Sequence, residues 1–358
     1  MGQSLSQSQD CDAEGLKSIM GVDKKSIIEK LAKPYVNRTR FLIYQLCNLS
    51  YWNLGRRKRL KIFMIEGQTH YVRIIPYFKN DSFFFSIIPF QAGGDYFHQF
   101  RKLFKAINPV FNIKNMIVLC NTSEQMPRVL EAGFSALFCN HNCWLDENIF
   151  KITNLSQDRK YNMVLNTRPE KWKRPYLARR IDKLAIIKGS HIRKEDYFDL
   201  RDLNPAFYSH SRISPAEVCK IYNQSLCGGI FSDGEGACYS SSEYLLSGLP
   251  VVSCKSGGGR DVWYDQDNSV ICEANEESVL DAFGQVSQKL IDGRFSRQEI
   301  RQRHIEKSFK FRDRFINYVQ TILDEHNVKK NATDIFKAKY IHKMINEYSF
   351  FQTWLMLK

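Results

Sequence analysis

No apolar run in this 358-residue chain approaches the roughly 20 residues that a bilayer-spanning helix needs, so the sequence predicts a soluble protein. The opening MGQSLSQSQDCDAEG has neither a basic start nor an apolar core, and no secretory signal is expected. Met1-Gly2 with Ser6 fits the myristoylation pattern only loosely, and a polar tail is the reading adopted there. No C-x-x-C pair occurs. The 10 cysteines are scattered singly, several inside apolar runs, which predicts reduced, buried thiols and a cytoplasmic location. The single cluster, Cys139-Asn140-His141-Asn142-Cys143, lacks both a nearby fourth ligand and zinc-site spacing, so no metal is expected. Repeats, low-complexity segments and recognised nucleic-acid motifs are also missing, which leaves nucleic acid outside the expected partners.

What is present is globular in composition, 43% apolar and 25% charged, and at about 150 residues per domain the length predicts two domains. The net charge of +14 points to anionic partners: nucleic acid, an acidic lipid surface, phosphorylated small molecules or an acidic glycan. The densest basic run, RRKRLK at 56–61, reads as a solvated loop or strand entry, with contact to a membrane surface as the second reading.

After a tail and leading helix over 1–35, strand-like and helix-like segments alternate. RFLIYQL, LKIFMIEG and SFFFSIIPF read as strands, DYFHQFRKLFKAI as an amphipathic helix, NMIVLCN as a strand, SEQMPRVLEAG as a helix ending on Gly133 and SALFCN as a strand. Such alternation predicts a parallel sheet covered on both faces. The polar stretch HNCWLDENIFKITNLSQDRK interrupts it, placing a boundary near residue 155 between a first domain, 36–155, and a second, 156–320. The second repeats the alternation, and from about 276 the chain reads as helix, with 321–358 as a C-terminal helical extension. Ser214-Pro215-Ala216-Glu217 is a capping box with proline at the first helical position, predicting a helix over 215–225.

Two runs in the second domain carry chemistry. In SDGEGACYSSSEYLL, Glu235 follows the apolar strand GGIFSD between Gly234 and Gly236, and a helix with Glu243 follows. A strand, a small-residue turn and a helix N-terminus together offer backbone N–H groups and a positive dipole end to a phosphate. Carboxylates beside an anion site are favourable only where they accept hydroxyl hydrogen bonds, and a sugar nucleotide presents both phosphates and hydroxyls. Ser240-x-x-Glu243 has a second reading, a capping box in which Glu243 only satisfies a backbone N–H. The other run, NTRPEKWKRP at 166–175, places Arg168 and Lys173 at a strand end, where cations can neutralise a pyrophosphate.

The region from about 161 to 285 resembles the nucleotide-binding half of the GT-B glycosyltransferases of the large retaining family 4 (group 1). The resemblance rests on R-x4-K (Arg168, Lys173), E-x7-E (Glu235, Glu243), the segment SGLPVVS at 247–253, and Gly257-Gly258 leading to Asp261, all in register. It implies an α/β fold of two Rossmann-like domains facing across a cleft, acceptor-side first and nucleotide-sugar-binding second. It implies a transferase that moves a sugar from a nucleotide diphosphate sugar to a glycan or lipid-linked oligosaccharide, with retention, in surface polysaccharide or glycoconjugate synthesis. Arg168 and Lys173 would be the diphosphate clamp, Glu235 the donor-sugar contact and Glu243 the ribose binder. Gly236, Ala237, Cys238, Tyr239 and Ser240 would lie against the phosphates. Neither metal nor cofactor is implied, because the clamp and the helix end supply the positive charge. The acceptor side departs from the pattern: the nearest glycine pair is Gly93-Gly94, and the candidate histidines are His98 and His141. YSHSRIS at 208–214 is the candidate for base contacts, and the basic, aromatic-rich surface suits peripheral contact with an acidic membrane face. The alternative is a non-catalytic GT-B-like scaffold or a basic nucleic-acid-binding protein.

Overall fold

The computed structural model describes residues 42–53, 56–66, 79–87, 95–154, 159–190 and 195–336. Packing divides the chain into two units, 1–141 with 312–358, and 142–311. The division therefore falls ahead of the expected boundary near residue 155, and the chain rejoins the first unit partway along a helix.

The first unit is built on a five-stranded sheet of order β1-β2-β3-β4-β5, formed by Leu42–Asn53, Arg56–Glu66, Ser82–Ile87, Met116–Cys120 and Ser135–Phe138. β2 to β5 run parallel, as the alternation predicted, but β1 pairs antiparallel with β2 along its whole length. The expectation of a wholly parallel sheet is corrected there: only two residues separate these strands, too few for a crossover. RRKRLK lies within β2, where Leu60, Lys61, Ile62 and Met64 are buried. Helix α1, Tyr96–Ile107, buries Phe97, Phe100 and Phe104 at helical spacing, and its Arg101 and Lys102 are exposed. Those three phenylalanines meet Phe84, Phe111 and Phe134 in one aromatic core. Helix α2 is Gln125–Glu131. Far along the chain, Phe315 packs on Phe85 with ring centroids 4.5 Å apart, which ties the returning C-terminal helix to this sheet. The terminal YSFFQTWLMLK lies outside the described residues.

The second unit holds six parallel strands: β6 Tyr161–Thr167, β7 Leu184–Lys188, β8 Phe207–Tyr208, β9 Ser225–Ile230, β10 Val251–Cys254 and β11 Ser269–Cys272. Their order is β11-β10-β9-β6-β7-β8, so the winding direction reverses between β6 and β9. Its helices are α3 Pro215–Asn223, α4 Tyr239–Leu246 and α5 Glu276–Ile291; α6 Arg297–Glu325 begins in this unit and passes at residue 312 into the first, to which the short α7 Ala332–Phe336 belongs. The capping box predicted for α3 is present, with Glu217 N–H donating to Ser214 Oγ at 3.3 Å and Ser214 N–H to Glu217 Oε2 at 2.8 Å. Gly228 in β9 is needed because the Tyr244 ring of α4 lies flat on the strand: a Cβ there would sit 2.2 Å from Tyr244 Cδ2. No helix among the described residues is long and apolar enough to cross a membrane.

Candidate functional site at the β6 and β9 strand ends

In an open parallel sheet the natural crevice lies outside the carboxyl ends of the strands where the winding reverses, because the two connections leave toward opposite faces. Here that point is the β6–β9 pair. The loop after β6 carries Arg168 and Lys173, and the loop after β9 carries Glu235. Sequence-distant candidates are thereby brought into direct contact.

Lys173 Nζ donates to Glu235 Oε1, and Ser232 Oγ donates to the same oxygen at 2.7 Å. Behind them lies Arg260, fully buried, whose guanidinium donates to Ser232 Oγ at 2.8 Å and to the Ser232 carbonyl at 3.3 Å. It also donates to the Cys254 carbonyl and lies 3.4 Å from Asp261 Oδ1. Burial alone would push the Glu235 carboxyl up. The Lys173 ammonium, the hydrogen bonds from Lys173 and Ser232, and the Arg260 charge outweigh it and hold the group below its ordinary value. Glu235 is therefore a carboxylate at neutral pH. Asp261 in turn organises the glycine turn, accepting from Ser256 N–H and Gly257 N–H at 3.0 Å each and from Ser256 Oγ at 3.0 Å.

Arg168 is half-buried and lies 3.3 Å from Glu170 Oε2 through Nη2. The same Glu170 oxygen accepts Trp172 Nε1–H at 2.7 Å. The Trp172 ring is in reach of both cations, its centroid 5.3 Å from Arg168 Cζ and 4.2 Å from Lys173 Nζ. Arg174, at φ 49°, donates from Nε to the Phe231 carbonyl at 2.6 Å and pairs with Asp233, which links the two loops a second time.

For Glu243 the capping reading is not realised. Helix α4 begins at Tyr239 with Cys238 as its N-cap and no side-chain cap, so the Ser240–Glu243 capping box is not formed. Ser240 Oγ instead donates to the Asn166 carbonyl at the end of β6, at 3.1 Å. Glu243, one turn into the helix, accepts from Tyr222 Oη at 2.7 Å and Asn166 Nδ2 at 3.3 Å. Burial pushes its carboxyl up to about 7, against the lowering effect of those two hydrogen bonds.

The turn before α4 is held from below. Asn142 Nδ2 donates to the carbonyls of Ala237 at 2.8 Å and Cys238 at 2.9 Å, and Cys238 is kept at φ 59°. With those carbonyls engaged by Asn142, the backbone from Gly236 through Ser240 forms the entry to the helix. Tyr239 is exposed, Gly236 and Ala237 are buried, and the Cys238 thiol is pushed up to about 12 by burial.

The acceptor-side candidates behave differently. His98 is an exposed residue of α1. His141 is buried, its N–H donating to Asn121 Oδ1 at 3.2 Å, and burial drives its pKa down to about 3, so it is neutral. Both belong to the first unit. Gly93 and Gly94 lie outside the described residues. Among the described residues no three His, Cys, Asp or Glu side chains gather as a metal would require.

Sequence reasoning missed Asn142, Asn166, Glu170, Trp172, Tyr222, Ser232 and Arg260. Asn142 sits inside the CNHNC run that had been weighed only for metal, and Arg260 follows the glycine turn that carried the resemblance. Asn142 reaches Ala237, Asn166 reaches Tyr222 and Arg260 reaches Ser232, partners far along the chain that no local pattern displays.

No family profile and no curated protein matches the chain. Solved structures do. HepE of Anabaena, in complex with UDP, superposes with a TM-score of 0.55 at 12% identity, covering 72% of this chain and 78% of that one. The sucrose-phosphate synthase of Thermosynechococcus elongatus gives 0.54 at 12% identity, over 75% and 74% of the two chains. A variant of S. aureus TarM bound to fondaparinux, alpha-GlcNAc-glycerol and UDP gives 0.51 at 18% identity, over 71% of this chain and 54% of that longer one. With the parallel sheets and the reversal at β6 and β9, these likenesses show that the chain has the GT-B fold of two Rossmann-like units.

Proposed function

We propose that the protein is a glycosyltransferase that moves a sugar from a nucleotide diphosphate sugar to a hydroxyl of a glycan or lipid-linked acceptor, with retention at the anomeric carbon. One observation carries the reading: Lys173 and Glu235, from separate loops, meet at the winding reversal of a parallel sheet. In a nucleotide diphosphate sugar a single glycosidic oxygen separates the anomeric carbon from the β-phosphate, so the sugar hydroxyls lie close to the phosphate. A cation for the phosphate and a carboxylate for the sugar must then be neighbours. The solved complexes with UDP on the same fold support this assignment.

In this mechanism Arg168, Lys173 and the first-turn amides of α4 receive the charge that develops on the departing diphosphate, the term on which such transfer depends most. Lys173 exchanges part of its bond with Glu235 for phosphate oxygen. Glu235, kept ionised, accepts from sugar hydroxyls and faces the positive charge growing on the anomeric carbon. Charge on the leaving group is thus met by residues of this chain, which supports a reaction without a metal or other cofactor. A basic surface favours an anionic or membrane-borne acceptor, with surface polysaccharide or glycoconjugate synthesis as its setting. Incubating the protein with nucleotide sugars of each base and analysing products for transfer and anomeric configuration tests the reading. An α-donor giving a β-linked product would overturn retention.

Glu243 supplies a pH-dependent prediction. A ribose diol donates both its hydroxyls, and more strongly, to the carboxylate form, and this carboxyl titrates at about 7. Nucleotide affinity is expected to weaken as pH falls through 7, with protons released on binding at neutral pH, measurable by calorimetry in buffers of different ionisation enthalpy. Because the folded pKa is raised from 4.5, the stability contributed by this group is full below pH 4.5 and is lost as pH rises through about 7. Glu243→Gln should abolish both dependences. Affinity that is flat from pH 6 to 8 contradicts the ribose role.

A further inference from the structure

We propose that Trp172 is the positioning residue of the diphosphate clamp, holding Arg168 and Lys173 against one ring; this rests on the function proposed above. Trp172 stands in PEKWKRP, a run whose other members are polar, charged or proline, so local hydrophobic patterning does not account for it. Two cations that converge on one diphosphate repel each other while the site is empty. An indole in reach of both, its centroid at 5.3 Å and 4.2 Å, offers its negative π density to each and offsets that repulsion. The ring cannot turn freely, because Nε1–H donates to Glu170 Oε2, and Glu170 is itself 2% exposed with its own N–H bonded to the Arg168 carbonyl at 2.8 Å. Glu170 also bridges to Tyr197, anchoring the loop from its far side. The Trp172 carbonyl accepts Asp233 N–H at 3.3 Å, so the same residue fixes the clamp loop to the loop of Glu235. Only one end of the arrangement is loosened when phosphate arrives: Lys173 gives up part of its bond to Glu235, while Arg168 and the ring stay with Glu170.

The test uses the full chain and the nucleoside diphosphate that binds it best, chosen from UDP, GDP, ADP, CDP and TDP. Trp172→Leu is expected to weaken that diphosphate about tenfold while leaving the matching nucleoside unchanged, with Trp172→Phe intermediate because it keeps a ring but loses the bond to Glu170. Saturating diphosphate should change the tryptophan emission of the wild type, and this change should vanish in Trp172→Phe. A purely structural tryptophan would instead lower the melting temperature and weaken diphosphate and nucleoside equally, which would overturn the proposal. Wild-type affinity in Trp172→Leu, alongside weakened binding in Arg168→Ala, would overturn it while leaving the proposed function standing. Failure of every diphosphate to bind the wild type would overturn both.

Discussion

Glu235→Gln is expected to lower turnover by at least about tenfold, equivalent to roughly 1.4 kcal/mol of barrier, while the protein remains folded. The amide keeps the shape of the carboxylate, and its oxygen can still accept from Ser232 and Lys173. What disappears is negative charge beside the reacting carbon. The same change leaves Lys173 without its counter-charge, while Arg260 keeps Asp261, so a modest fall in melting temperature accompanies it. Diphosphate binding should tighten or hold, since Lys173 no longer has to be drawn from a carboxylate. Steady-state kinetics with a thermal melt on the same preparation separates these effects. A folded variant with unchanged turnover would remove the role assigned to Glu235.

Gly248→Ala carries the largest expected loss of stability. Gly248 ends α4 at φ +67°, with its N–H on the Leu245 carbonyl and Leu249 N–H on that of Tyr244 at 2.8 Å. An added Cβ would be strained by the left-handed backbone and would lie 2.5 Å from the Arg297 carbonyl oxygen and 2.9 Å from Ile152 Cδ1. Left-handed strain of about 1–2 kcal/mol and overpacking of about 1–3 kcal/mol predict a cost of about 3 kcal/mol. In a unit of this size that is a fall of roughly 6–12 °C. Gly293→Ala is the control, since its φ of +71° brings the strain but nothing lies within 4 Å of the new atom. It should cost about 1 kcal/mol, and equal losses for the two variants would show that crowding at Gly248 contributes nothing.

The second unit was legible because its elements announce themselves locally. Pro215 behind Ser214, the turn glycines and the short apolar strands each mark a boundary, and their alternation implies a parallel sheet. Arg168, Lys173 and Glu235 could be picked out because each follows a strand directly. The partners that set their chemistry were not legible: Arg260 reaches Ser232, and Asn142 reaches Ala237, only through the fold. The capping-box reading of Glu243 failed for a related reason. S-x-x-E specifies a cap when serine begins the helix, and here Tyr239 already lies in it, with Ser240 drawn to the Asn166 carbonyl and Glu243 to Tyr222. Parallel alternation also concealed the antiparallel β1, since strand direction is not written in a strand's own residues.

Equilibrium titration of nucleoside diphosphates into the wild type, Arg168→Ala and Lys173→Ala tests the central claim most directly. The account predicts that one diphosphate binds the wild type saturably, and that each substitution weakens it by the equivalent of a charge-assisted contact, about 1.5–3 kcal/mol, with the matching nucleoside nearly unaffected. Equal losses for diphosphate and nucleoside, or binding of single-stranded DNA with no diphosphate bound, would contradict it.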